Sequence, residues 1–337
     1  MTIKKHNNKN IRIIKYLLVL IAMIASLTMG YYALMNENNK VDKTQQANNS
    51  DDTNINYKVA SPSLVGISFD HGPYYIESKD MEEIAGNITF INPQIKMMIK
   101  HIDWFNLTSK LAKLKTNDNQ LELYDDVEAN INNQYFANTQ QAEIISQDSL
   151  IKSDKYINIY TEGSSLESET GFVANYNNQT AFFFGKINTN IENTDKSITN
   201  IKSDKFNIFW NDKTGHFIGN VVLVNGETTV KADKMIALLN KNNNELEKIF
   251  LYKNVRIITE EQTSTSEYGE YIIATSNLTL TDNVRLHKQK NIMNGEALHY
   301  NFKTKKANLV GAKNTTKKGK KKRVQATIIP KSKAFEK

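Results

Sequence analysis

Along much of the chain, apolar and polar residues alternate one by one. In LELYDDVEANI, Leu121, Leu123, Val127, Ala129 and Ile131 share one parity, while Glu122, Asp126, Glu128 and Asn130 hold the other. In LTLTDNVRL the apolar set is Leu278, Leu280, Val284 and Leu286, against Thr279, Thr281, Asn283 and Arg285. Side chains two apart lie on the same face of a strand, so each segment has one apolar and one polar face. A helix does not show this period. These segments are expected to be strands.

A phrase recurs within the alternation: an apolar residue, a spacer, then Gly, Asp or Lys, a polar residue, and Val or Ile. HFIGNVVL supplies Phe217, Gly219, Asn220, Val221 and Leu223. KIFLYKNVRI supplies Ile249, Leu251, Lys253, Asn254, Val255 and Ile257, and FFFGKI supplies Phe183, Gly185 and Ile187. The Val/Ile anchors fall at 127, 187, 221, 255 and 284, roughly one unit per 30 residues with one unit blurred. Gly or Asp at the fixed point suits a bulge or tight bend. A second phrase, in which a small–acidic pair interrupts apolar residues, is clearest at 230–235 and looser at 293–298 and 166–172. Stacked units of this kind bury a continuous apolar face that no single unit could bury. The expected architecture is all-β, a solenoid or open jelly roll with its apolar face turned into a shared interior.

Residues 16–35, YLLVLIAMIASLTMGYYALM, break the alternation and carry no charge. A run of about 20 apolar residues spans a ~30 Å hydrocarbon core as a helix. Tyr16, Tyr31 and Tyr32 sit near its ends, where amphipathic rings prefer the interface. Lys4, Lys5, Lys9, Arg12 and Lys15 precede it with no acidic residue among them, whereas Glu37, Lys40, Asp42 and Lys43 follow it. That asymmetry predicts a basic cytoplasmic segment at 1–15, a transmembrane helix at 16–35 and the rest of the chain outside. The rival reading is a cleaved signal peptide, whose apolar core is shorter, about 7–15 residues, and ends in a small-residue site. Residues 36–56 are polar and aperiodic and read as a flexible linker.

Composition narrows function mainly by exclusion. The 337 residues include 43 Lys+Arg and 36 Asp+Glu, a net charge of +7. That excess suits an acidic partner such as nucleic acid, a membrane surface or an anionic lipid, without choosing among them. With no cysteine, disulfides, thiolate metal sites and cysteine nucleophiles are excluded. His6, His71, His101, His216, His287 and His299 are scattered without metal-ligand spacing. Asp125-Asp126 and Glu260-Glu261 read as solvated pairs at turns or strand ends, and His71-Gly72-Pro73 as a turn. No nucleophile-elbow, Walker or Gly-rich phosphate motif is present. The expectation is a non-enzymatic protein with no metal and no cofactor.

The stretch from about 200 to 332 resembles the LptA (OstA-type) family of periplasmic lipopolysaccharide-transport proteins. The matching runs are IKSDKF, GHFIGNVVLVNGETTVKADKM, LEKIFLYKNVRI, SEYGEYI, LTLTDNVRLHKQKNIMNGEALHYNFKTKKANL and KGKKKRVQATIIP. The part ahead of it resembles the LptC family, through SLVGISFDHGPYYIESKDM, INPQIKM, LELYDDVEANI and LESETGFVANYNNQTAFFFGKI. The resemblance implies two stacked open β-jelly-roll (β-taco) domains, LptC-like at 57–195 and LptA-like at 196–332, before a tail at 333–337. These modules are ordinarily separate proteins. It also implies a single-pass inner-membrane protein with most of its chain in the periplasm. There it would take lipopolysaccharide from an inner-membrane ABC transporter and pass it toward an outer-membrane translocon or further LptA-like subunits. Acyl chains would lie against Leu121, Leu123, Val127, Phe183, Phe217, Val221, Leu223, Leu251, Val255, Leu280, Val284 and Leu286. Val324, Gln325, Ala326, Thr327, Ile328 and Ile329, ended by Pro330, would form an edge strand offered to the next protein. The preceding Lys317, Lys318, Lys320, Lys321, Lys322 and Arg323 would deter wrong pairing or meet acidic lipid heads; outside the cytoplasm they do not imply nucleic acid. The alternatives are an envelope scaffold with a dry core and a membrane-tethered adhesin built on the same repeats.

Overall fold

The computed structural model describes residues 57–67, 72–84, 86–98, 104–115, 118–192, 196–242, 246–304, 306–311 and 324–327. The expected membrane helix, the basic segment before it and the linker lie outside these residues, as do Ile328, Ile329, Pro330 and the lysine run. The described residues are strands joined by turns, and no helix among them is long and apolar enough to cross a membrane. They fall into two units, divided between Gly185 and Lys186.

The first unit opens with short strands that come in couples: β1 (Tyr57–Ala60) with β2 (Ser63–Ile67), and β3 (Pro73–Glu77) with β4 (Asp80–Ile84). β5 (Asn87–Ile91) with β6 (Gln94–Met98), and β7 (Trp104–Thr108) with β8 (Leu111–Lys115), repeat the arrangement. Each couple is one strand broken at its middle. β9 (Gln120–Ile131) and β10 (Tyr135–Ile145) cross the same corner unbroken. Antiparallel pairing sorts the pieces into two walls. One runs β1-β4-β5-β8 to the first half of β9. The other runs β2-β3-β6-β7 to its second half. Ile76, Ile95, Met97 and Leu107 from one wall and Phe90, Ala112, Leu121 and Leu123 from the other form one buried core. Beyond β10, β11 (Leu150–Ser153), β14 (Phe172–Asn175) and β15 (Thr180–Glu192) extend one wall. β12 (Ile157–Thr161) and β13 (Ser164–Ser168) extend the other.

The second unit is an antiparallel meander of long strands: β16 (Ile198–Phe209), β17 (Thr214–Asn225), β18 (Thr228–Leu239) and β19 (Leu246–Ile258). It continues with β20 (Gln262–Ile272), β21 (Asn277–Lys288) and β22 (Asn291–Asn301). Every pairing shifts register near mid-strand. The last rung is split, with β23 (Lys306–Val310) on the second half of β22 and β24 (Gln325–Thr327) on its first half.

The shifts have a regular chemistry. On alternate long strands two successive residues adopt the left-handed conformation: Asp125-Asp126, Gly185-Lys186, Gly219-Asn220, Lys253-Asn254 and Asp282-Asn283. Side chains other than Gly, Asn and Asp pay a steric penalty there, which accounts for most of these identities. Opposite such a pair the neighbouring strand carries a single residue, Gln140, Asp233, Glu267 or Glu296. Two residues against one is a β-bulge, which bends and twists the strand. The intervening strands turn differently. The hydroxyls of Ser78, Ser109, Thr139, Ser203 and Ser266 donate to the carbonyls of Asp80, Leu111, Gln141, Lys205 and Tyr268, at 2.9–3.3 Å. Asn220 Nδ2 donates to Asp204 Oδ2 and Asn254 Nδ2 to Asp233 Oδ2, both at 2.9 Å. Lys110 Nζ sits 2.5 Å from Asp126 Oδ2. Asp125-Asp126 therefore lies at a bend inside β9 rather than at a strand end.

Gly219 and Gly226 both have positive φ, but a Cβ at Gly219 would run into the Asp204 carboxylate, whereas Gly226 faces open space. Gly219→Val is expected to cost about 2–3 kcal/mol and Gly226→Ala about 1 kcal/mol. Urea unfolding midpoints of the two variants check the ranking. On the outer side of β17, the His216 ring lies tilted against that of Phe209, with centroids 4.9 Å apart. Burial, reinforced by Lys234, lowers its pKa to about 4. A histidine depressed on folding gives stability that is complete above its unfolded pKa near 6.5 and is lost as the pH falls from there toward 4. The drop in urea midpoint between pH 7 and pH 4.5 should therefore be larger for the parent chain than for His216→Gln.

Candidate functional site

The corner sets two rows of inward side chains along the second unit. On one wall, Phe206, Phe217, Met235, Leu251, Gly269, Leu280 and Leu298 are successive register partners. The Phe206 and Phe217 rings stack at 4.2 Å. Gly269 leaves room for its neighbours, since a Cβ there would lie 3.0 Å from Leu280 and 3.3 Å from Leu251. On the other wall, the inward residues next to the corner are Val221, Ala232, Val255, Ser266, Val284 and Gly295. A valine alternates with a small residue along this row.

Eleven of the twelve residues named from the sequence for lipid contact are buried: Leu121, Leu123, Val127, Phe183, Phe217, Val221, Leu251, Val255, Leu280, Val284 and Leu286. Leu223 is half-buried. It lies one inward position farther from the corner than Val221 and pairs with Val230, which is half-buried too. Met293, the register partner of Leu286, shares that state. Solvent thus reaches parts of this inner face as it leaves the corner.

The first unit contains a cavity of about 230 Å³. Ile76, Ile95, Met97, Leu114, Leu121 and Ile144 give it an apolar lining, with Ile67 beside them. Tyr74, Asn119 and Ser146 add polar atoms. The Tyr74 ring occupies the space where a Cβ on residue 66 would stand, so Gly66 is what lets that ring lie inward. Burial raises the Tyr74 pKa above the ordinary tyrosine value. An apolar chamber with a few polar groups is a common form of small-ligand site. Leu121 is the one cavity residue named from the sequence. The others sit mainly on short strands, where Tyr74/Ile76 in PYYIE and Ile95/Met97 in QIKMM do alternate, but over five residues each.

Of the expected pairing edge, Gln325, Ala326 and Thr327 form β24, which pairs with Asn294, Met293 and Ile292 of β22. Val324 just ahead of it is 39% exposed. The histidines are not brought together: His216, His287 and His299 lie on three different strands, and the other three are outside the described residues. Among the described residues no group of three or more His, Asp or Glu side chains is placed to hold a metal ion.

Two family models match the chain. The model described as lipopolysaccharide-assembly, LptC-related, covers residues 18–192. The model described as LptA/(LptD N-terminal domain) LPS transport protein covers residues 200–306. Comparison with curated proteins finds no match. Among solved structures, the chain is similar to LptH of Pseudomonas aeruginosa, the LptA-homologous periplasmic component of the conserved lipopolysaccharide transport device. The identity is 16% and the TM-score 0.34, over 39% of this chain and 95% of that one.

Proposed function

The chain belongs to the LptC-related lipopolysaccharide-assembly family and fuses that part to an LptA-like part, and from this we propose how its two modules carry lipid. It is a non-enzymatic component of lipopolysaccharide transport between the membranes. In our reading residues 16–35 hold it in the inner membrane, N-terminus inside, beside the ABC transporter that loads it. Each module is an open jelly roll whose inner face receives acyl chains, while the phosphorylated sugars stay outside. The observation that carries this reading is the inward array itself. Phe217, Leu251 and Leu280 on one wall and Val221, Val255 and Val284 on the other repeat a similar apolar environment on every second strand. Transfer of each CH₂ from water into such an environment is worth about 0.8 kcal/mol. Near-equal successive positions favour movement along the row over trapping at one place. The half-buried Leu223, Val230 and Met293 mark where chains enter, and the cavity beside Tyr74 is a first resting place in the LptC-like module.

A second reading has an observation in its favour. The corner-proximal residues Leu123, Phe217, Val221, Leu280 and Val284 are at most 3% exposed, the burial expected of a dry core in an envelope scaffold. A photo-crosslinking residue placed at 217 or 280, in the native envelope, separates the two. Crosslinks to lipopolysaccharide at these inward positions, and none at the outward Thr281 and Arg285, are the expected outcome. Equal labelling at all four positions, or none at any, sinks the transport reading.

β24 is the terminal strand of its wall among the described residues, and we take its outer edge as the platform to which the next component adds a strand. Deleting residues 324–329 should abolish co-purification of downstream bridge or outer-membrane translocon components while leaving the inward crosslinks to lipopolysaccharide intact. Undiminished capture by the truncated chain would show that the handover surface lies elsewhere.

A further inference from the structure

The outer face of the wall built from β2, β3, β6 and β7 is organised in bands. Register aligns Ser63, Glu77, Gln94 and Thr108 nearest the corner. The next outward row is Val65, Tyr75, Lys96 and Asn106, and beyond it lie the partners Ile67 and Pro73 and the partners Met98 and Trp104. Polarity therefore falls row by row, from wholly polar, through mixed, to wholly apolar. These are not buried side chains turned outward by accident. Val65 is 63% exposed and Ile67 72%, and Tyr75 and Trp104 are exposed as well. The Tyr75 and Trp104 rings meet across the intervening β6, with centroids 5.6 Å apart. On β9 the middle row continues as Asn130.

We infer that this banded face rests on the bilayer surface from which the chain emerges, with its apolar row in the interface and Lys96 among anionic headgroups. The inference depends on the anchor reading of residues 16–35. Three observations choose the bilayer as occupant. The patch is confined to strands at the start of the described chain, just after the linker. Residues 36–56, read from the sequence as a flexible linker, would have an r.m.s. span of about 25 Å, which keeps the first strands near the membrane on average. The bands are straight across four strands, and a straight boundary between polar and apolar rows is what a planar interface demands, whereas a protein partner has no need of it. Trp and Tyr at the boundary with Lys just behind is the composition that such an interface favours.

The chain has two tryptophans, Trp104 and Trp210, so Trp210→Phe makes Trp104 the sole reporter. The full-length variant is reconstituted into phosphatidylethanolamine–phosphatidylglycerol vesicles that contain no lipopolysaccharide. The expected result is a blue-shifted Trp104 emission, quenched more by lipids brominated near the carbonyl end than by lipids brominated near the methyl end. That pattern corresponds to a depth of about 5–10 Å. Adding Val65→Asp and Tyr75→Asp should abolish the quenching with unchanged circular dichroism. Co-sedimentation with vesicles reads the anchor separately. Co-sedimentation with an unquenched Trp104 overturns the docking face alone, and failure to co-sediment overturns both it and the anchor. Shielding of Trp104 that arises only when inner-membrane proteins are co-reconstituted assigns the face to a protein and also overturns the inference. No outcome depends on whether the interior carries lipopolysaccharide.

Discussion

Each rung of both units has to change direction at its middle while staying hydrogen-bonded to a neighbour on either side. A ladder of unpaired amides at the bend would be costly, so each bend must fit the one beside it. The chain alternates two devices. One strand inserts an extra residue as a left-handed pair such as Gly219-Asn220, and its neighbour passes the corner with a single outward residue such as Asp233. Where the neighbour turns at a serine, as at Ser203 or Ser266, the hydroxyl satisfies a carbonyl that the bend would otherwise expose. The inward rows on both walls inherit their alignment from this corner, and the candidate lipid site is those rows.

That arrangement explains which parts of the fold were legible in the sequence. A left-handed pair consumes two positions, so Leu278, Leu280, Val284 and Leu286 keep one parity through the bend, and β21 reads as a straight, cleanly alternating strand. Its bend is hidden from a period-two reading; the sign of it is the recurring Gly-Asn, Lys-Asn and Asp-Asn itself. The other device shifts parity, from Val230 and Ala232 to Met235 and Ala237. Those strands therefore surfaced as a looser phrase around a small–acidic pair rather than as alternation. β1 to β8 are each cut at the corner into pieces too short to show a period, which is why Tyr74, Ile95 and Met97 went unnamed while Leu121 on the unbroken β9 did not. Leu223 shares the parity of the buried Val221, but burial falling off with distance from a corner is a property of the folded wall and has no signature along the chain.

Inside, similarity between rungs matters more than any one contact. Val221, Val255 and Val284 recur on alternate strands, with Ala232, Ser266 and Gly295 between them. A row of knobs and gaps of this kind can close on itself or admit a chain of methylenes, because both fillings satisfy the same apolar surface. Dry core and lipid path differ in the work of separating the walls, and that work is least where Leu223, Val230 and Met293 already meet solvent.

The two-residue corner also governs how the chain can change length. Losing one residue from a left-handed pair would reverse the facing of the whole half-strand beyond it. In β21 that slip would carry Arg285 and His287 inside, at prohibitive cost. In β17 it would exchange Val221 and Leu223 for Val222 and Val224, and the interior would scarcely register the error. Insertions and deletions at the corners are therefore tolerated in twos along most of the protein. The second half of β17 alone among these long strands lacks a reading frame that hydrophobicity can proofread, so there the frame is kept by the corner and the ladder.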